Sequence, residues 1–363
     1  MSKGLFFLFI TPLFLFSQNG GGCSGVTISS ATNTGVHTVF SYDESTGVRN
    51  GTDYYGSTLY CPENTVGLLP SIIIIPGYAN PELSIQSWGP FLASHGIVCM
   101  TIGTNSVFDL VDARKDALKD ALISLKEENF RSSSFLYNKL DTSLIALGGW
   151  SMGGGGAQLL AVENPAIKAV LALCPWLDPS QAPSSLLNQN SPVLFFSGQI
   201  DAVAPPSTHA NAQYNYTPSS TKKLIYEVFL GGHTVANNPS GGQGEVGRMA
   251  LSWLKTYLEN DSCYCPLLLD VPLTSSDYQT NIDCSNLVSQ PNTNTSCSVY
   301  PNPFKNHLYI AGVLTNSSYR IINVFGVVVK KGGVTSSPID LSNLVSGVYF
   351  LEVPNKKVTL IKY

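Results

Sequence analysis

The chain reads as an α/β body built on a mostly parallel sheet, followed by a small all-β domain. Three observations predict this. Apolar β-branched runs alternate with helix-compatible stretches from about residue 24 to 260. A glycine-flanked serine, Gly149-Trp150-Ser151-Met152-Gly153, stands between one such run and a helical stretch. Beyond Val299 the texture changes to short strand-like runs separated by turn signals.

The elements follow in order. Lys3 precedes the apolar run Leu5 to Phe16, and Ser17-Gln18-Asn19 with a glycine cluster comes next, the pattern of a cleaved leader over residues 1–18. The run falls short of the roughly 18 to 20 apolar residues that cross a bilayer, so no transmembrane segment is expected. Cys23 is open to lipid attachment, but Gln18, Asn19 and three glycines part it from the apolar run, which favours ordinary cleavage near Ser17 or Gln18.

The body proper is expected over 24–262. Ser71-Ile72-Ile73-Ile74-Ile75 and Gly96 to Ile102 are continuous apolar runs, which fit parallel strands buried on both faces. The stretch 109–129 places Leu110, Ala113, Ala117, Leu118, Ala121, Leu122 and Leu125 at helical spacing. Further strands are expected at 143–148, 168–173, 193–197 and 223–229, and a last helix at 243–259. Residues 263–298 lack periodicity but hold Cys263, Cys265, Cys284 and Cys297, and read as a disulfide-pinned extension and linker. Four cysteines permit three pairings. A zinc site using Cys263-x-Cys265 is the rival, weakened by the lack of a Cys-x-x-Cys pair or neighbouring histidine, and no metal or other cofactor is expected. Cys99 and Cys174 lie in strand-like runs and read as buried thiols. The all-β domain, residues 299–363, carries no catalytic set.

Composition excludes some partners. Of 363 residues 44 % are hydrophobic and 12 % charged, about half the usual charged fraction. The net charge is −4, yet residues 298–363 carry seven Lys or Arg against Asp340 and Glu352, so the body is distinctly acidic. Neither nucleic acid nor anionic lipid suits it, and a neutral or apolar substrate does.

Chemistry starts from Ser151. A sharp strand-to-helix turn lifts a serine hydroxyl out of the backbone, and the flanking glycines leave room for it. Such a serine needs a base and an orienting acid, supplied in the order Ser, Asp or Glu, His. Among five histidines, His37 precedes the turn, His307 lies in the tail, His95 closes an early helix and His209 follows no strand. His233 follows Leu224 to Phe229 through Leu230-Gly231-Gly232 and is the expected base. Asp201, at the end of the run from Val193 to Ile200, is the expected acid, ahead of Asp178, because it lies one strand later. An oxyanion needs two preorganised donors, expected from the Met152 N–H and from the Tyr78 N–H of Pro76-Gly77-Tyr78. Only about 18 residues separate Cys174 from Pro192, too few for a cap domain, so an open cleft walled by Tyr78, Trp150, Met152, Trp176 and Val203 is predicted. It suits a bulky polymeric or lipid ester.

These residues carry a resemblance. Ile75-Pro76-Gly77-Tyr78, Trp88-Gly89-Pro90, Leu92 to Gly96, Thr104-Asn105, Asp141-Thr142, Gly149 to Gly156, Ala204-Pro205 and Gly232-His233 make residues 27–285 similar to the bacterial polyester hydrolases and cutinases that include poly(ethylene terephthalate) hydrolases. The resemblance implies an α/β-hydrolase fold without a cap, the triad Ser151, Asp201 and His233, the oxyanion pair Tyr78 and Met152, and a substrate wall at Trp176. It also implies a disulfide joining Cys263 or Cys265 to Cys284. Gly198 and Val235 stand where some members carry a bridge near the acid and histidine, and Glu82 and Leu83 depart from the usual loop. From Val299 onward, Tyr300-Pro301-Asn302-Pro303, Asn323 to Gly326, Asp340 to Leu344 and Ser346 to Tyr349 resemble type IX secretion sorting domains, which implies the type IX machinery as partner and an extracellular or surface location. A monomer is expected. The alternatives are a lipase or general esterase for long acyl chains, and a surface adhesion protein with an inactive hydrolase body.

Overall fold

The computed structural model describes residues 23, 25–285, 298–311, 318–335, 337–353 and 356–363. The expected leader and Cys297 lie outside them.

One nine-stranded sheet organises the body. Its strands are β1 (Val39–Asp43), β2 (Ser57–Pro62), β3 (Leu69–Ile75), β4 (Val98–Ile102), β5 (Leu140–Trp150), β6 (Val170–Leu173), β7 (Val193–Gly198), β8 (Lys223–Val228) and β9 (Ser275–Thr280). Their spatial order is β1-β2-β4-β3-β5-β6-β7-β8-β9. The six strands from β4 through β8 in that order pair in parallel, while β1, β2 and β9 join antiparallel at the flanks. The isoleucine run shows why a central parallel strand needs continuous apolarity. Ile72 and Ile74 enter the core on one face and Ile73 and Ile75 the core on the other, all four fully buried.

The helices are α1 (Ile28–Thr32), α2 (Trp88–Ser94), α3 (Val111–Glu128), α4 (Met152–Glu163), α5 (Ala182–Ser185), α6 (Ala210–Tyr216), α7 (Glu245–Tyr257) and α8 (Cys265–Leu269). Trp88 and Leu92 of α2 share one core with Met249, Trp253 and Leu254 of α7. Across the sheet, Ala117, Leu118, Ala121 and Leu125 of α3 pack with Ala157 and Leu160 of α4 and Ala210 and Tyr214 of α6. Short α5 lies in the segment expected to be too small for a cap, and its neighbours Leu177 and Leu186 pack towards Val111 and Leu159 on α3 and α4.

In the extension, residues 263–285 are described, and they hold regular structure where no periodicity was seen. Ser275–Thr280 forms β9 and pairs with β8 from Leu224↔Thr280 to Val228↔Ser275. Its sequence, Ser-Ser-Asp-Tyr-Gln-Thr, has no apolar alternation because an edge strand is held by backbone hydrogen bonds and one covered face. The disulfides bear out one expectation and correct another. Cys265 pairs with Cys284, but Cys263 pairs with Cys23, 240 residues away. Cys23, weighed only as a site of lipid attachment, was not among the expected bridging cysteines, and spacing carries no signal for so distant a partner. With both sulfurs of Cys263-x-Cys265 bridged, a zinc site has no thiolates there. Cys61, Cys99 and Cys174 are buried free thiols, and burial pushes all three pKa values up.

Beyond the body, β10 (Ser298–Tyr300), β11 (His307–Ala311), β12 (Ser318–Asn323), β13 (Val328–Gly333), β14 (Ile339–Asp340), β15 (Gly347–Val353) and β16 (Lys356–Lys362) form two antiparallel sheets, β10-β11-β14 and β13-β12-β15-β16. Leu308 from one sheet and Ile321, Leu351 and Leu360 from the other share a single core closed by Phe304, a small all-β sandwich.

Loop-closure entropy ranks the two disulfides. The Cys23–Cys263 bridge closes 240 residues and Cys265–Cys284 closes 19, so removal is expected to cost about 5.5 and about 3 kcal/mol respectively. Denaturant unfolding of Cys263→Ser and of the Cys265→Ser/Cys284→Ser pair tests the order, and a larger loss for the second would contradict it.

Candidate active site

Parallel strands end at one edge of the sheet, and the site collects there. Ser151 follows β5, Trp176 the end of β6, Asp201 the end of β7 and His233 the end of β8, while Tyr78 follows β3. Ser151 itself sits at φ 56°, ψ −123°, left-handed backbone that costs a non-glycine residue about 1–3 kcal/mol. Its N–H donates to Leu173 O at 2.9 Å, and its carbonyl accepts from Gly154, Gly155 and Trp176 N–H groups at 2.9, 3.2 and 2.8 Å. These bonds from two neighbouring elements hold the turn.

Close packing explains two glycines. A Cβ at Gly153 would stand 2.5 Å from Ile75 O and 2.6 Å from Pro76 O, so only glycine lets α4 start against the end of β3. A Cβ at Gly77 would stand 2.7 Å from Ser151 Cβ, which shows how tightly the Pro76-Gly77-Tyr78 loop lies on the serine. Among the described residues, neither Tyr78 N–H nor Met152 N–H has a protein acceptor, so both are available to a ligand.

The side chains of Ser151, His233 and Asp201 meet. His233 Nε2 is 2.8 Å from Ser151 Oγ, and His233 Nδ1 is 2.7 Å from Asp201 Oδ2. Asp201 Oδ1 accepts from the N–H groups of Val203 and Ala204 at 2.9 and 2.8 Å. Burial alone would raise the Asp201 carboxyl, yet the hydrogen bonds from His233 and Ala204, with Val203, hold it below the usual carboxylate range. It is therefore an anion facing Nδ1, which puts the proton of a neutral imidazole on Nδ1 and leaves Nε2 a free lone pair towards Ser151 Oγ.

Backbone bonds lace the two loops together. Gln199 N–H donates to Val228 O at 3.0 Å, Ile200 N–H to Gly231 O at 2.9 Å, and the Leu230 N–H to Gln199 Oε1 at 3.0 Å. Gly198 lies so close to Gly231 and Gly232 that a Cβ would stand 2.4 Å from Gly231 O. Where some relatives of the resembling family carry a bridge, this chain has direct backbone contact.

Tyr78, Trp150, Ser151, Met152, Trp176, Val203 and His233, all singled out in the sequence, line one cleft of about 270 Å³. Trp150 is mostly core: its Nε1 donates to the His233 carbonyl at 2.8 Å and the residue is only 4 % exposed. Asp178, the competing acid, lies half-buried away from the cleft and accepts from Ser180 N–H and Oγ in a local turn. Three residues were not assigned to the site from sequence, His209 having been weighed only as a base. Asn80 lines the cleft and ties its Nδ2 to Tyr78 O at 2.8 Å. His209 packs its ring 5.6 Å from that of Trp176. Arg114, wholly buried, donates from Nη1 to Pro76 O at 2.8 Å. Only its position on the first turn of α3, as a charge on a largely apolar face, hinted at Arg114.

Residues 21–285 match the PET hydrolase-like family model, well over half of the chain. The chain belongs to the PET hydrolase-like family. Cutinase 1 of Thermobifida cellulosilytica is 34 % identical over 237 residues, covering 63 % of this PET hydrolase-like chain and 84 % of the relative. A cutinase of Thermobifida fusca (strain YX) is 34 % identical over 237 residues, 63 % and 73 % of the two chains. Lipase 1 of Moraxella sp. (strain TA144) is 34 % identical over 211 residues, 57 % and 61 %. Family membership makes the protein a carboxylic ester hydrolase. Residues 298–363 match the secretion system C-terminal sorting domain, which marks the PET hydrolase-like chain for export to the surface or beyond. Among the described residues no helix is long and apolar enough to cross a membrane.

His209 gives this site a pH signature. Burial holds its pKa below the ordinary value, so the unfolded chain binds the proton more readily. Stability is then full above about pH 6.5 and falls as the pH drops through the unfolded value towards the folded one. His95, lowered by burial as well, contributes in the same window. His209→Phe keeps a ring against Trp176 and removes the titration. Unfolding free energies between pH 7 and 5 should fall less steeply in this variant, and parallel curves would contradict the assignment.

Proposed function

We propose that this exported protein hydrolyses polymeric carboxylic esters, polyesters among them, through an acyl-enzyme on Ser151. The observation that carries the reading is the hydrogen-bonded line Ser151 Oγ, His233, Asp201 at the foot of an open, largely apolar cleft. His233 Nε2 takes the Ser151 proton as Oγ attacks the ester carbonyl. Asp201 fixes the Nδ1–H tautomer and stabilises the imidazolium. The Tyr78 and Met152 N–H groups receive the developing oxyanion. Collapse of the tetrahedral intermediate expels the alcohol, protonated by His233, and a water activated by the same nitrogen then releases the acid and restores Ser151. Trp176, Val203, Trp150, Tyr78 and Met152 hold the apolar flanks of the ester, while the hydrolase body, the cysteine-containing extension and the sorting tail divide the labour of catalysis, closure and export. Every group of this set comes from one chain, so catalysis needs no residue from a second copy.

A second reading, a lipase for long acyl chains, is favoured by the match to Lipase 1 of Moraxella. The cutinase relatives and the open wall favour the polymer. Product analysis after incubation with polyester film and triglyceride emulsion separates them: soluble monomers and short oligomers from the film are expected, and an inert film beside hydrolysed triglyceride would replace the first reading with the second. Ser151→Ala should lower ester turnover at least about 10³-fold, whereas an unchanged rate would leave only the adhesion-protein alternative.

A further inference from the structure

The open cleft at Ser151 measures about 270 Å³, at the small end of ligand pockets and far too short to cover a polymer chain. An ester chain longer than the unit being cut must therefore run over the surface beside it. Next to Tyr78 that surface is apolar and fixed. The loop from β4 to α3 presents Phe108, 61 % exposed, with its ring centroid 5.7 Å from that of Tyr78 and tilted 58° to it. Leu110, two residues on, is 62 % exposed.

Large apolar side chains on a loop are usually free to fold away from water, but here the backbone beneath them is pinned. Wholly buried Arg114 donates from Nη1 to Pro76 O at 2.8 Å, from Nη2 to Val107 O at 3.0 Å and from Nε to Asp109 O at 3.0 Å. Ala79 N–H adds a bond to Val107 O at 2.7 Å, and Asp109 Oδ2 accepts from Ser106 N–H at 3.0 Å. One planar guanidinium with its donors in a fixed fork thus joins the loop carrying Phe108 to the loop carrying Tyr78. Rigid exposure of an aromatic ring, contiguous with a cleft too small for its substrate, is the arrangement of an extended binding surface.

We propose that Phe108 and Leu110 form an apolar ledge that continues the cleft beyond Tyr78 and holds the part of an ester chain flanking the scissile bond, with Phe108 setting preference for long esters and Arg114 the positioning residue that locks the ledge to the Tyr78 loop. This rests on the serine-esterase reading above.

The test compares kcat/KM of the full protein on p-nitrophenyl acetate and on a soluble terephthalate oligoester, for wild type, Phe108→Ala, Phe108→Tyr and Arg114→Gln. Phe108→Ala should lower the oligoester-to-acetate ratio about tenfold, carried by KM, the scale of one lost aromatic contact. Phe108→Tyr should restore the ratio. Arg114→Gln, which loosens the Tyr78 loop as well, should lower kcat on both esters, and unchanged kcat on both would overturn its role. If wild type cleaves both esters and Phe108→Ala keeps the wild-type ratio, the ledge is overturned while the esterase reading stands. Wild-type turnover of the acetate but not of the oligoester overturns the ledge in the same way. If wild type cleaves neither, the esterase reading itself has failed and takes the ledge with it.

Discussion

The strained backbone of Ser151 is the constraint on which the rest of this structure depends. A left-handed turn at a non-glycine residue persists only where surrounding contacts over-determine it. Here the Ser151 carbonyl accepts three N–H groups, its own N–H is spent on β6, and Gly153 lets α4 begin directly against the end of β3. Loosening any of these would lower the hydroxyl back towards the sheet. The apolar parallel strands beneath are therefore part of the site: their side chains fill both cores and leave the strand ends as a fixed edge.

Preorganisation follows from that edge. Asp201 and His233 sit on adjacent loops joined by backbone bonds, so the imidazole is oriented before any ester arrives. Fixed dipoles and donors need no reorganisation as charge develops, which is where most catalytic stabilisation in such sites arises. Arg114 plays the corresponding part for the Tyr78 loop, replacing side-chain bridging with a buried fork of hydrogen bonds to three carbonyls. Burial lowers this guanidinium only to about 10, so it is charged at neutral pH.

Much of this was legible in the sequence where the signal is local. The continuous isoleucine run could only be a strand buried on both faces, and the glycine-flanked serine after an apolar run could only be a tight turn or an elbow. His233 stood out as the one histidine beyond the elbow that follows a strand, and counting strands separated Asp201 from Asp178. The illegible parts are those whose cause lies elsewhere in the chain. Ser275–Thr280 is polar and becomes a strand only because β8 offers an open edge. Cys23 finds Cys263 across 240 residues. His209, Asn80 and Arg114 acquire meaning from neighbours that only the folded sheet brings near. Phe108 reads in sequence as one more apolar residue before a helix, and its exposure beside Tyr78 is a fact of three dimensions.

The central claim is that Ser151 is an activated nucleophile in an exported ester hydrolase. Incubation of the purified protein with a fluorophosphonate, followed by intact mass and peptide mapping, tests it most directly. Attack by Oγ displaces fluoride and leaves a stable phosphonyl ester, so one adduct per chain on the peptide containing Ser151 is expected, with labelling slowed strongly by His233→Ala. An unlabelled Ser151 in folded wild-type protein, or an adduct that forms equally fast without His233, would contradict the account.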